Sequence, residues 1–135
     1  MKRRQKRSAI RCRKGELRQV RTRWGKTWYK TTTMSGHPFY GRGTYHLPRD
    51  GKPGAWHVHH GRLEECVSGF HVTQHPGAWL HGSWLDGRIF IVKATGFAQC
   101  LETNPSKRVC RAIRFIREVR ANTREWYRLV CRWRG

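Results

Sequence analysis

The 135-residue chain is expected to adopt an α+β fold: a small, mainly antiparallel sheet with a C-terminal amphipathic helix and a flexible basic N-terminal arm. Three observations lead there. Short runs of aromatic and β-branched residues, separated by Gly, Pro and Asp, fill the middle of the chain, as antiparallel strands and their turns do. Apolar residues fall at clean helical spacing only near the C-terminus. Charge is segregated: residues 1–30 hold thirteen basic residues against one acid, residues 31–106 six against five, and residues 107–135 ten against two. The nearly neutral centre supplies a core, so the domain is placed at 27–135 and the arm at 1–26.

Along 1–26 only Ala9, Ile10, Leu17, Val20 and Trp24 interrupt the basic run, and no hydrophobic period appears. That is the pattern of a solvated charge block. Residues 27–33 (TWYKTTT) read as a strand, 34–43 as a loop, 44–47 as a short second strand, and 48–54 (PRDGKPG) as a turn. Residues 55–60 (AWHVHH) alternate, which puts Trp56 and Val58 on one face and His57 and His59 on the other. Trp56, Trp79 and Trp126 are assigned to core faces. Residues 69–73 (GFHVT) form a strand with Phe70 and Val72 inward, and 76–81 one helical turn opened by Pro76. Residues 88–93 (RIFIVK) are the near-continuous apolar run of a buried strand. Residues 106–119 fit two periods: Val109, Ala112, Ile113 and Ile116 are helically spaced, while RAIRFIRE alternates. Over 122–134, Asn122 and Glu125 have capping-box spacing, and Trp126, Leu129, Val130 and Trp133 form an apolar stripe. Arg124, Arg128 and Arg132 form a ridge on another face.

A net charge of +21 repels itself unless something anionic meets it. Arg outnumbers Lys by 21 to 8, and its planar fork binds phosphate bidentately and stacks on bases. The expected partner is therefore nucleic acid, RNA or DNA, held by its phosphate backbone, either free or within a host ribonucleoprotein or nucleoprotein complex. No membrane partner is expected, since no apolar run is long enough for a signal peptide or a span. Five cysteines without a C-x-x-C pair read as reduced thiols in the cytoplasm. No G-x-S-x-G, P-loop or paired-carboxylate motif is present, and no cofactor is expected. Eight acids are too few for a two-metal carboxylate nuclease.

The opening strand with Tyr29–Lys30, the turn with Pro53, Gly54 and Trp56, the block Cys66, Gly69, Phe70 and His71, the run RIFIVKATG and the segments KRVCRAIRFIREV and NTREWYRLVCRW together resemble a family of small uncharacterised proteins of actinobacterial phages. The resemblance covers roughly residues 27–132 and excludes the arm. It implies that residues 111–119 form a strand, and it carries over no catalytic residue.

The candidate nucleic-acid contacts are Arg3, Arg4, Lys6, Arg7, Arg11, Arg13, Lys14, Arg18, Arg21 and Arg23 of the arm, with Arg124, Arg128 and Arg132 of the helix ridge. Trp24, Trp28 and Trp133, set among cations, suit base stacking, but ordinary core or cation–π packing is the favoured reading of each. His57, His59, Cys66 and His71 are the residues that a metal site would use, although a structural zinc site ordinarily shows tighter ligand pairs. His71 stands in a G-F-H strand faintly like the first motif of ADP-ribosyltransferases, with Glu102 or Glu118 as the acid such an enzyme needs; the competing reading is a histidine bonded to backbone at a strand end. Cys66 with His71 is a nucleophile–base pairing without a third, orienting group. The leading functional expectation is a phage-encoded accessory protein that grips nucleic acid. The alternatives are a phage effector that inhibits a host nucleic-acid-processing or defence complex, and a transferase centred on His71.

Overall fold

The computed structural model describes residues 16–20, 27–39, 42–64, 68–79, 87–99 and 107–131. Its elements are β1 (Trp28–Thr32), β2 (His57–Val58), β3 (Phe70–Thr73), α1 (Pro76–Trp79), β4 (Arg88–Phe97), β5 (Lys107–Val119) and α2 (Arg124–Cys131). The strands run in the order β2-β5-β3-β1-β4, and β4 then returns to pair with β5. Four antiparallel strands thus close into a barrel, with β2 attached outside them on β5.

Closure depends on β5, which at thirteen residues is long enough to serve successive partners. Its start pairs with β3, from Thr73↔Lys107 to Phe70↔Cys110, and its remainder with β4, from Phe97↔Cys110 to Ile89↔Val119. A bulge bends it, and its neighbour β4 carries a left-handed glycine. The pairs Ile91↔Arg117 and Val92↔Phe115 leave Ile116 as an extra residue, a β-bulge, and bulges bend a strand and add twist. Across the pair, Gly96 sits at φ +68°, a conformation that glycine adopts without penalty.

The fold class read from the sequence is thereby corrected. The protein is mostly β, a closed barrel plus one strand, rather than an α+β sheet with a capping amphipathic helix. Helix amounts to the single turn α1 and the eight residues of α2 among the described residues. The strand pairings that close the barrel join residues far apart in the chain, and no local pattern encodes them.

Inside the barrel Trp28, Val72, Phe90, Val92, Phe97, Cys110, Ile113 and Phe115 form the main core. Phe90 meets Phe115 edge-on with ring centroids 5.3 Å apart, and Trp28 lies 5.1 Å from Phe97. Trp28 is therefore core and not a base-stacking residue. A second cluster outside the barrel joins Ile89 and Val119 to Val130, with Tyr29, Ile91, Trp126 and Leu129 around them, and seats α2. The bulge makes both clusters possible. In a regular strand Phe115, Arg117 and Val119 would share a face; the extra residue sends Phe115 inward and Val119 out to the helix.

Arg88 closes one end of the barrel. It donates Nε and Nη2 to the Glu118 carboxylate at 3.0 and 2.7 Å and lies 5.0 Å from the Phe90 ring centroid. The interior also holds Lys30, whose Nζ donates to the His71 carbonyl oxygen at 2.7 Å and stands 5.8 Å from the Tyr45 ring centroid. Burial pulls the Lys30 ammonium down to about 8 and pushes the nearby Cys110 thiol up to about 12.

Several local expectations change. Residues 44–47 form no strand; Tyr45 plugs the barrel, 4.8 Å from Phe115. Of 55–60 only His57–Val58 pairs with β5, and its alternation holds with the faces exchanged. The His57 ring packs against Tyr45 and Phe115, while Trp56 and Val58 are 41% and 49% exposed. The inner position suits His57 because its Nε2 accepts a 2.9 Å hydrogen bond from the His46 amide. An indole has no acceptor to offer there. Residues 107–119 are strand throughout.

The α2 N-cap is Thr123, whose Oγ1 accepts from the Trp126 amide at 3.3 Å. Asn122 instead takes the left-handed conformation, φ +67°, and accepts from the Tyr127 hydroxyl. Residues 16–20 of the sequence-defined arm lie against the domain: the amides of Leu17 and Val20 donate to the carbonyls of Leu63 and Phe97, and the Gln99 amide donates to the Arg18 carbonyl, each at 2.6 Å.

Candidate nucleic-acid interface

From β5 onward the sequence places Arg at every third position: Arg108, Arg111, Arg114, Arg117 and Arg120. A spacing of three in a regular strand alternates between faces. Here Ile113 and Phe115 point into the core, which leaves Arg114 between them on the outer face, and the Ile116 bulge keeps Arg117 outside as well. Lys93 of β4 lies directly opposite Arg114 and is exposed. On the other side of Arg114 lies Trp56, in the short segment between Gly54, bonded to Arg114 and Phe115, and His57, paired with Ile113. Lys93 and Arg114 thus share a row with Trp56 just before β2, and Val58, Ala112 and Thr95 form the next row across the three strands.

These cations are not equivalent. Arg111 is a structural tie: its Nη1 donates to the carbonyls of His59 and Gly61 at 2.9 and 2.8 Å, and its Nε to Gln19 Oε1 at 3.0 Å. A Cβ on Gly96 would stand 2.7 Å from the Arg111 Cβ, so glycine is needed where that side chain crosses. Arg117 makes a bidentate pair with Glu125, both contacts 2.8 Å, which raises the arginine and lowers the carboxylate. Arg114 donates Nε to the Gly54 carbonyl at 2.8 Å, which fixes the side chain and engages one of its five donors. Beyond them Arg120, Arg124 and Arg128 are exposed. Like charges directly opposite on adjacent strands destabilise a sheet, so the Lys93–Arg114 juxtaposition is a local stability cost that a bound anion would relieve.

Of the contacts expected from the sequence, Arg124 and Arg128 are exposed on α2, and Arg18 is exposed where 16–20 meets the domain, its Nε 3.4 Å from Gln99 Oε1. Arg3, Arg4, Lys6, Arg7, Arg11, Arg13, Lys14, Arg21, Arg23 and Arg132 lie outside the described residues, as do Trp24 and Trp133. Lys93, Arg114 and Trp56 were not singled out as contacts. The arginine triplet spacing was the available signal, but it puts Arg114 and Arg117 on one face only once the Ile116 bulge is known.

Several of the described histidines make contacts within the fold. His57 stacks on His46, centroids 4.6 Å apart, and burial together with His46 holds its pKa below the ordinary range. His59 Nε2 bonds the Arg62 carbonyl. Burial, then the charges of Lys30 and Lys107, pulls His71 down to about 4, while its ring bonds the backbone of Gly69. Glu118 is held by Arg88, and Glu102 and Cys66 lie outside the described residues. No group of three His, Cys, Asp or Glu among the described residues is placed to hold a metal.

Fold and surface together define a small closed antiparallel barrel with a cationic outer face. The chain matches no protein-family model, no curated protein and no solved structure. Among the described residues no helix is long and apolar enough to cross a membrane.

Proposed function

We propose that this protein is a cytoplasmic accessory factor that binds nucleic acid by its phosphate backbone, using the outer face of β4 and β5 together with the α2 arginines and the basic N-terminal segment. The reading rests on the direct Lys93↔Arg114 pairing on the outer sheet face, where Lys93 is exposed and Arg114 half-buried. Two cations held side by side match the spacing of a polyanion and gain from displacing its condensed counterions.

Lys93→Glu separates binding from folding. It replaces the cross-strand repulsion with an ion pair, so thermal stability is expected to hold or rise by about 0.2–1 kcal/mol. Affinity for RNA or DNA is expected to fall, with the slope of log K against log salt reduced in magnitude by about one. Unchanged affinity in this variant would remove the face from the interface. Capture of a host protein complex that survives nuclease treatment, with no affinity for purified nucleic acid, would replace the reading with that of an inhibitor.

A further inference from the structure

We infer that the Trp56–Arg114–Lys93 row is a subsite for a single-stranded nucleotide: a base stacks on the Trp56 indole while the adjoining phosphate lies against Arg114 and Lys93. The inference rests on the backbone-binding reading and adds to it the class of nucleic acid and the residue that selects it.

The observation behind it is the exchanged alternation of β2. An apolar indole of this size would ordinarily face the core, yet His57 does so, and Trp56 stands outward with 41% of its surface exposed. It does not stand alone. The segment that carries it is held to β5 on both sides, by Gly54 bonded to Arg114 and Phe115 and by His57 paired with Ile113, and Lys93 lies opposite Arg114; adjacent strands are about 4.8 Å apart, so the row spans only about 10 Å. Arg114 is pinned by Gly54, two residues before Trp56, so the guanidinium and the ring are positioned by the same short segment. The Gly54 amide in turn bonds the Phe115 carbonyl, which anchors that segment to β5. An exposed aromatic ring beside fixed cations is the arrangement that binds unpaired bases with little sequence preference, since every base has a π-face. In a duplex those faces are already stacked on their neighbours and only the phosphates remain available. The row should therefore discriminate strandedness, while the remaining cations do not.

The experiment uses the full chain, a labelled oligothymidylate and a labelled duplex, with fluorescence anisotropy titrations of wild type, Trp56→Ala and Trp56→Phe. Loss of one stacking platform is expected to weaken single-strand binding about 5- to 100-fold in Trp56→Ala, with duplex affinity and salt slope unchanged and most of the loss restored in Trp56→Phe. Because Trp56 is exposed, both variants should melt like wild type, and the melt is recorded for each. Wild-type binding to both probes with Trp56→Ala equal to it on the single strand overturns the subsite and leaves the backbone reading intact. Equal weakening on both probes also overturns it, since the ring would then not select unpaired bases. Wild type binding neither probe ends the backbone reading itself. A mass in sedimentation that halves in Trp56→Ala would assign the indole to contact with a second copy of this chain instead.

Discussion

Replacing Lys30 by Met should stabilise the protein, and by an amount that shrinks as pH rises. Lys30 is buried, and its pKa falls from 10.5 to about 8 on folding. At about 1.4 kcal/mol per unit, the folded state disfavours the ammonium by about 3 kcal/mol. That penalty is fully present below pH 8, where Lys30 is charged in both states. It is absent above pH 10.5, where both are neutral, and between the two pH values it fades because the unfolded chain alone binds the proton. Methionine matches the volume and removes the charge, while the hydrogen bond to the His71 carbonyl is lost at about 1 kcal/mol. A net gain of about 2 kcal/mol is expected at pH 7, falling by about 1 kcal/mol at pH 9. Urea denaturation of both proteins under reducing conditions at the two pH values measures it. A stability difference that does not change with pH, or a Met variant less stable at pH 7, would show that the amine is not held inside the barrel as described.

Other perturbations address the barrel end, the helix seat and the charged face. Glu118→Gln breaks the bidentate contact with Arg88, which is about one-third exposed, and should cost about 1 kcal/mol, read as a melting temperature lower by a few degrees. Gly77→Ala drives a Cβ into the Leu129 carbonyl oxygen, where α1 meets α2, and should cost about 1–3 kcal/mol in chemical denaturation. Glu125→Gln releases Arg117 from its ion pair, so affinity for single-stranded nucleic acid should increase while stability changes by less than about 1 kcal/mol. The wild-type Glu125 carboxylate lies below the usual carboxylate range, so its small stabilising contribution is present at neutral pH and is lost as pH falls through the acid range.

What was legible in the sequence was what local chemistry decides. The runs at 27–33, 69–73 and 88–93 have the β-branched and aromatic content of strands, and they are strands; Pro76 opens a helical turn, and the Trp126, Leu129, Val130 stripe seats α2. The rest turns on facts that are not local. Alternation in AWHVHH gives a period but no sign, and the sign was set by a hydrogen bond from His46, eleven residues away. The choice of Thr123 over Asn122 as N-cap followed from the positive φ at Asn122. Arg114 and Arg117 of β5 owe their common face to an extra residue at Ile116. Closure of the barrel itself depends on which strand edges meet, and that is a property of the whole chain.

The most direct measurement is the affinity of the full chain for single-stranded and duplex nucleic acid across a series of salt concentrations. The expected result is tight binding at low ionic strength, with log K falling linearly against log salt and a shallower line for Lys93→Glu. If the folded protein leaves both probes free in dilute buffer, the cationic outer face of β4 and β5 has some other purpose.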